Sequence, residues 1–363
     1  MKKIVLFLSR FIFRPVVLSS LFLCIAILLS ACTPLPQAAK DEMPELVTMR
    51  KLAKRVSPPA VDGDRIIIGT SDKNLLILDA TLETLKTIPL GDVTPNTTPF
   101  ILDDWIFVAD AKGVVAGVRD GEKIWETQLD GRVNGGVVAA RVGERLFVYA
   151  GSYSGNFYVL DGTDGSEVAK TEVSGYINPS PALALQQQLA LVSDCGGQLA
   201  MFNMTDGQLR RTAQVDEYLP WSPLIIDDVA YVISHGGTIH AVDIASAETS
   251  LFAKDDDEKF LGTLAVHGEM LYAVTEAGKV RAYNRGSREL QAEADFGQES
   301  LSPAIVGESV LVFSERGGGA AYALDDLRQR WKIENSIEYQ APPLAFQGGF
   351  IVADGDGNLY FYK

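Results

Sequence analysis

An acidic run near the C-terminus has the residue types of a calcium-binding loop. Asp354-Gly355-Asp356-Gly357-Asn358 places side-chain oxygens at alternate positions, as in loops that wrap a calcium ion. Position 6 of such a loop is a glycine, which allows a sharp bend, and here it is Leu359. We therefore interpret the run as a hairpin turn and expect no bound metal.

Other potentially reactive side chains lack partners at useful spacings. The histidines His235, His240 and His267 form no metal-binding pattern, because a predicted turn places His235 and His240 on different strands. Cys195 directly precedes a predicted glycine turn, so we interpret it as a small packing residue near a strand end and not as a reactive thiol. We therefore expect no catalytic residues and no cofactor.

The glycine turns belong to an internal repeat. The segment 155–161 shows the unit best: a turn glycine, an alternating apolar run and an acidic end. Glycine readily adopts positive φ in a tight turn, and a carboxylate or amide can accept hydrogen bonds from local backbone N–H groups. The turn position recurs at intervals of 38 to 42 residues, at Lys73, Gly113, Gly155, Gly197, Gly237, Gly278, Gly319 and Gly357. The acidic or amide position follows six residues later, at Asp79, Asp161, Asn203, Asp243, Asn284 and Asp325.

Each repeat has the length and pattern of four short strands. A proline or small residue opens the first strand, at Pro59, Pro99, Gly136, Pro181, Pro223, Thr263, Pro303 and Pro343. Four-stranded units of about 40 residues are typical of β-propeller blades, which bury their faces against neighbouring blades. The sequence therefore predicts an all-β, eight-bladed propeller.

The segment 45–56 occupies the sequence position of a blade's fourth strand. Val47 precedes Pro59 by 12 residues, as Trp331 precedes Pro343, and the last repeat reaches only its third strand. An amphipathic helix whose basic residues contact lipid headgroups is the alternative. We favour a strand that completes the C-terminal blade, because this closes the ring and removes two open sheet edges.

The N-terminal residues indicate export. Basic residues precede an apolar run, and Leu29-Ser30-Ala31-Cys32 resembles the bacterial lipobox. That resemblance implies cleavage before Cys32 and its acylation, whereas a plain transmembrane anchor is the alternative because the run is almost long enough to span a bilayer. Thr33, compared with bacterial sorting signals, implies the outer membrane, with the protein anchored by lipid and facing the periplasm.

These features divide the chain into three parts. Residues 1–31 are the predicted signal peptide, 32–44 the lipidated cysteine and a flexible tether, and 45–363 the propeller. Cys195 is then the one cysteine left without a role in the signal or anchor, so no intramolecular disulfide is possible. The formal net charge of −15 argues against nucleic acid as a partner.

The repeat resembles that of the pyrroloquinoline-quinone-type propellers, through its hairpins and its Thr-Asp-Gly turns at 163–165 and 205–207. Quinoprotein dehydrogenases of this type carry a vicinal cysteine pair at the cofactor, and Cys195 has no cysteine neighbour. An eight-bladed propeller of this length on a lipobox is similar to the BamB-like lipoproteins of the outer-membrane β-barrel assembly machinery. The resemblance covers residues 45–363. It implies a non-catalytic scaffold that binds the periplasmic domains of a BamA-like, barrel-forming subunit.

Two adjacent inter-blade loops differ from the short polar type and form the predicted partner-binding site. The first, 215–221, offers Tyr218, Leu219 and Trp221 as apolar anchors. The second, 254–260, contributes an acidic cluster of Asp255, Asp256, Asp257 and Glu258. The alternative is that Trp221 packs at a strand start and that the acids are merely solvated.

Two other functions stay open from the sequence. A ligand-binding or sensor propeller would take a small molecule or a peptidoglycan fragment in its central channel and have no role in barrel assembly. A degenerate quinoprotein enzyme is the other. Co-purification with the barrel-assembly complex from membranes would distinguish the scaffold from the ligand-binding or sensor propeller.

Overall fold

The computed structural model describes residues 42–215 and 218–363. Residues Glu42–Lys363 belong to one compact unit. The predicted signal peptide, Cys32 and most of the predicted tether lie outside the described residues, so those assignments stay predictions. Within the described ranges, no helix is long and apolar enough to cross a membrane.

The described residues form eight four-stranded antiparallel sheets, which are the predicted blades. Blades 1 to 4 contain β2 (Ala60–Asp62), β3 (Arg65–Thr70), β4 (Asn74–Leu78), β5 (Thr84–Pro89); β6 (Phe100–Leu102), β7 (Trp105–Ala109), β8 (Val114–Arg119), β9 (Glu122–Gln128); β10 (Val137–Val142), β11 (Arg145–Gly151), β12 (Asn156–Asp161), β13 (Glu167–Glu172); β14 (Ala182–Ala184), β15 (Leu189–Ser193), β16 (Gln198–Asn203), β17 (Leu209–Gln214). Blades 5 to 8 contain β18 (Leu224–Ile226), β19 (Val229–Ile233), β20 (Ile239–Asp243), β21 (Thr249–Ala253); β22 (Phe260–His267), β23 (Met270–Thr275), β24 (Lys279–Asn284), β25 (Leu290–Asp295); β26 (Ala304–Val306), β27 (Ser309–Phe313), β28 (Gly319–Ala323), β29 (Gln329–Ile333); β30 (Leu344–Phe346), β31 (Gly349–Ala353), β32 (Asn358–Tyr362), with β1 (Leu46–Lys51) as fourth strand.

The N-terminal strand β1 closes the ring. It pairs antiparallel with β32, with Met49 opposite Tyr360. Glu45 and Lys363 exchange backbone hydrogen bonds of 2.8 and 2.9 Å just beyond the pair. The predicted closing strand is confirmed, and the helical alternative is wrong.

The predicted strand openers mark the first strands well. In seven of the eight blades the first strand starts one residue after the predicted opener. Blade 6 differs, because β22 already begins at Phe260, before Thr263. Gly262 has φ 73° there, and the pairing changes register between Leu261 and Ala265. A β-bulge thus lengthens this strand toward the loop that precedes it.

In blade 7 the predicted turn was wrong by two residues. Gly317, with φ 96°, donates its N–H to the Ser314 carbonyl at 3.1 Å, as Gly155 does to Ser152 in blade 3. Gly319 already lies in β28, so the strand ends at Ala323 rather than Asp325. A shift of two residues keeps every side chain on the same face of the sheet, so the apolar alternation could not reveal the error.

The core is divided among the interfaces between blades. Each of eight hydrophobic clusters joins the facing strands of two neighbouring blades. At the closure, Ile66 and Ile68 of blade 1 pack with Ile351 and Leu359 of blade 8. Each blade is thereby held on both faces. Because the blades are fixed in this way, the loops that connect their strands begin and end at fixed positions.

Candidate functional site

The inter-blade loops and the turns between second and third strands lie on one face of the ring, which we call the loop face. They are joined by backbone hydrogen bonds: Cys195 N–H donates to Tyr176 O at 2.9 Å, and His235 N–H donates to Tyr218 O at 2.8 Å. In each case the turn of one blade holds the loop that leads into that blade. The loop face is therefore built from ordered backbone.

A buried polar residue supports each turn of the loop face. It lies three residues before the turn position: Thr70, Asp110, Ser152, Asp194, Ser234, Thr275, Ser314 and Asp354, each at most 4% exposed. Asp194 Oδ1, for example, accepts the N–H groups of Gly196 and Gln198 at 2.8 and 2.9 Å. Sequence reasoning missed this column, although aligning the repeats on their turns would have shown a Ser, Thr or Asp in every one.

The aromatic loop, residues 218–221 of the described chain, is anchored by its middle. Leu219 is fully buried in the cluster between blades 4 and 5, and its N–H donates to the Asp194 carbonyl at 3.2 Å. Trp221 is half-buried and packs against the cluster between blades 5 and 6. Of the three predicted anchors, Leu219 therefore offers no surface, whereas Tyr218 and Trp221 stay partly accessible.

Tyr218 contacts two turn residues. Its ring centroid lies 5.8 Å from that of His235. Burial raises the pKa of the Tyr218 hydroxyl, and its interaction with the Cys195 thiol adds to the effect. Burial also raises the pKa of Cys195. This effect is larger than that of the hydrogen bond from Tyr218, which lowers the pKa of the thiol. A raised thiol pKa disfavours the reactive thiolate, so Cys195 is suited to packing beside the aromatic ring.

Two further tyrosines extend this surface and were missed in the sequence. Tyr153 and Tyr176 stack with centroids 4.8 Å apart and planes at 12°, and they are 42% and 53% exposed. Together with Tyr218 and His235 they form what we call the aromatic row, across the turns and loops of blades 3 to 5. The signal was present: Tyr176 and Tyr218 both lie 21 residues after a turn glycine, while Tyr153 and His235 both lie two residues before one.

The acidic loop, residues 254–260, exposes only some of its four acidic side chains to solvent. Asp255 accepts the N–H groups of Asp257 and Glu258 at 2.8 and 2.9 Å and pairs with Arg281 at 2.6 Å. Those backbone hydrogen bonds, with Arg281, lower the pKa of Asp255. Glu258 accepts the Thr275 hydroxyl at 2.5 Å. Asp256 and Asp257 are exposed, and the side chain of Asp256 is 90% accessible.

Arg281 is the centre that holds the acidic loop to blade 6. Its side chain is 8% exposed and also pairs with Glu293 at 2.8 Å. The guanidinium lies 5.7 Å from the Phe260 ring centroid, within cation–π range. Asp255 therefore completes a partly buried charge network, and its carboxylate fixes the loop.

The acidic run at 354–358 forms the predicted turn. Asp354 is 4% exposed, and its Oδ1 accepts the N–H groups of Asp356 and Asn358 at 3.0 and 2.8 Å. Its Oδ2 accepts hydrogen bonds from Asn358 and Tyr360. Across residues 42–215 and 218–363, no group of three or more His, Cys, Asp or Glu is arranged to hold a metal ion.

Eight four-stranded blades with turn-and-loop repeats of this kind define a β-propeller of the pyrroloquinoline-quinone type. The sequence profile of the family described as outer membrane protein assembly factor BamB matches residues 86–289 and 219–336. The chain belongs to this family.

Individual relatives agree with the family match. The chain is 24% identical to the outer membrane protein assembly factor BamB of Salmonella typhimurium, over 75% of this chain and 85% of that protein. It is 22% identical to the Escherichia coli protein of the same name with the same coverage. The crystal structure of BamB from Moraxella catarrhalis superposes with a TM-score of 0.70 at 16% identity, covering 88% of this chain and 100% of that one. A computationally designed protein, Ika8, superposes with a TM-score of 0.75 at 12% identity, which shows likeness of fold alone.

Proposed function

We propose that this protein is a non-catalytic scaffold lipoprotein of the outer-membrane β-barrel assembly machinery. In this role it is anchored through Cys32, faces the periplasm and binds the periplasmic domains of the barrel-forming, BamA-like subunit. Membership of the BamB family supports the role, since the family's members are named as assembly factors. The observation that carries the binding site is the aromatic row, which lies beside the acidic loop on one ordered face.

The aromatic row provides the apolar part of the proposed interface. Partly exposed tyrosines supply large contact areas with little loss of side-chain entropy, and aromatic residues are enriched among interface hot spots. Tyr153 and Tyr176 already stack on one another, so binding does not need to order them. Tyr218 and Trp221 continue the same face toward blade 6.

The acidic loop provides the charged rim. Asp257 is exposed, and Asp256 pairs with Lys254 at 3.1 Å while its side chain stays 90% accessible, so both carboxylates can attract a basic surface. Asp255 and Glu258 instead position the loop through Arg281 and Thr275. Rim charges of this kind chiefly raise the association rate and make it sensitive to salt. We therefore assign Leu219, Asp255 and Glu258 to positioning, and Tyr218, Trp221, Asp256 and Asp257 to contact.

Co-purification from membranes tests the proposal. The tagged parent should bring down the barrel-forming subunit. Tyr218→Ala with Trp221→Ala should lower capture by about 30-fold or more at any salt, because one hot-spot aromatic contributes about 2 kcal/mol. Leu185→Ala with Leu209→Ala is the matched control, since both leucines are exposed but lie off the loop face.

The outcomes separate role from site. A parent that brings down no barrel-assembly subunit contradicts the proposed function. A double aromatic variant that is folded by circular dichroism and captures the subunit as well as the parent does contradicts the site alone. In that second case the contact lies elsewhere on the ring.

A further inference from the structure

The rim of the ring carries one concentrated apolar patch. Met43, Leu46, Val47 and Met49 are 55%, 50%, 54% and 50% exposed, and all four lie within seven residues. Other fourth strands expose large apolar side chains singly, at Leu85, Ile124, Leu209, Leu251 and Leu290. Scattered exposed leucines are ordinary, whereas a cluster of this kind marks a contact surface. The strand that closes the ring therefore differs from its equivalents in the other blades.

The pairing of β1 explains why the patch is continuous. Leu46 lies opposite Tyr362 and Thr48 opposite Phe361, so Val47 is an additional residue in the strand. Such a β-bulge leaves one residue without a cross-strand partner and bends the strand locally. Because Leu46 and Met49 lie opposite Tyr362 and Tyr360, they share one face of the sheet, and the additional residue Val47 is exposed between them.

Basic residues continue the patch at the end of β1. The exposed acids Glu42 and Glu45 lie at the N-terminal end of the patch, whereas the segment 46–56 contains Arg50, Lys51, Lys54 and Arg55 and no acidic residue, in a chain of net charge −15. Arg50 pairs with Glu83 at 2.5 Å, and Lys51 donates to the Asp356 carbonyl. Lys54 and Arg55 are exposed, and within the described ranges no acidic side chain pairs with them.

We propose that β1 lies against an anionic lipid surface, with the apolar patch at the headgroup boundary and Lys54 and Arg55 on the headgroups. Apolar side chains flanked by Lys and Arg are the combination that binds such surfaces. The proposal rests on the lipid anchor proposed above. Cys32 is ten residues from Glu42, so even a fully extended connection holds Glu42, which directly precedes the patch, within about 36 Å of the anchor.

A tethered contact can be weak and still be populated. A short flexible linker gives an effective concentration in the millimolar range, and each Lys or Arg near an anionic surface contributes about fivefold. β1 is the outermost strand of blade 8, and the loop with Lys54 and Arg55 joins blade 8 to blade 1, where the Arg55 carbonyl accepts the Ser71 N–H at 3.0 Å. This part of the loop face lies across the ring from the aromatic row of blades 3 to 5. Lipid at blades 8 and 1 and a protein partner at the aromatic row are thus compatible.

A fluorescent label tests the contact in the lipidated mature protein. An environment-sensitive dye is placed at Val47→Cys, or at Leu209→Cys as control, in a Cys195→Ser background. The vesicles contain phosphatidylethanolamine and phosphatidylglycerol, or phosphatidylcholine alone. We expect the emission at position 47 to shift to shorter wavelength on the anionic vesicles and the emission at position 209 to stay as in buffer.

Charge variants test the electrostatic part. Lys54→Glu with Arg55→Glu should lower the equilibrium constant for contact of the label at position 47, its ratio of bound to unbound, by about 25-fold or more, whereas Arg210→Glu with Arg211→Glu on β17 should leave it unchanged. An equal shift on phosphatidylcholine, or none on either vesicle, overturns the proposal. So does a shift that appears without vesicles and grows with protein concentration, because a second copy then covers β1.

The anchor and the contact can be told apart by flotation. A chain that does not float with the vesicles overturns the proposal together with its anchor. A chain that floats with an unshifted label at position 47 overturns the contact alone.

Discussion

The aromatic loop and the acidic loop occupy equivalent places on neighbouring blades, yet different forces hold them. Tyr218 and Glu258 both lie 21 residues after a turn glycine. The aromatic loop is held by Leu219 in an apolar core and by backbone hydrogen bonds. The acidic loop is held by a carboxylate pairing with Arg281. The repeat therefore fixes where a loop lies and leaves its chemistry free.

If an apolar core holds the aromatic loop and an ion pair holds the acidic loop, the largest loss of stability should come from a substitution in the aromatic loop. Leu219→Ala should lower the free energy of unfolding by about 2–5 kcal/mol, because it removes a fully buried leucine and leaves a cavity between blades 4 and 5. Urea denaturation measures this. Leu209→Ala, at a leucine that is 48% exposed, should cost no more than about 1 kcal/mol. Equal losses for the two variants would show that Leu219 does not anchor its loop.

A substitution in the acidic loop should cost less stability than Leu219→Ala, and the cost should depend on pH. Asp255→Asn should cost about 1–2 kcal/mol at neutral pH, because it removes a charge-assisted contact to Arg281. The pKa of Asp255 is lowered from the ordinary 3.8, so the carboxylate's contribution is complete above that pH. As the pH falls through the lowered value, the contribution disappears.

Thermal unfolding checks the sign. The difference in Tm between parent and Asp255→Asn should be constant from neutral pH down to about pH 5 and shrink below the ordinary carboxyl pKa. Asp256→Asn is the control, as its side chain is 90% exposed. A difference that grows toward low pH would contradict the assigned role of Asp255.

The smallest effect belongs to the two exposed acids. Asp256→Asn with Asp257→Asn should change the free energy of unfolding by about 0.5 kcal/mol or less, since neither residue supports the fold. Capture of the partner should weaken at low ionic strength and match the parent at about 0.5 M salt, where the screening length is only a few ångströms. A salt-independent loss would place these residues in the interface core.

The repeats made the architecture predictable, including its closure. Local signals were enough to predict the blades, because each repeat contains its own turn glycine, alternating strand and, in most blades, an opening proline. The closing strand required a comparison of the two ends of the chain, in which Val47 and Trp331 hold the same distance from the next opener. The pairing of β1 with β32 confirms it.

The failures occurred where spacing alone was ambiguous. Three consecutive glycines in blade 7 offered three turn positions, and the structure uses Gly317. Leu219 was predicted as a surface anchor beside Tyr218, but a loop that packs on a core must direct one of its apolar residues inward. The stacking of Tyr153 on Tyr176 depends on two segments meeting across a turn, which no local pattern shows.

Site-specific photo-crosslinking tests most directly whether the loop face binds the barrel-forming subunit. A photoreactive residue in place of Tyr176 should crosslink to that subunit in intact cells, because Tyr176 is 53% exposed and stacks on Tyr153 in the aromatic row. The same residue in place of Leu185 should give no such product, since Leu185 is 61% exposed in the turn after β14, on the opposite face of the same blade. Crosslinking from position 185 and not from position 176 would contradict the account.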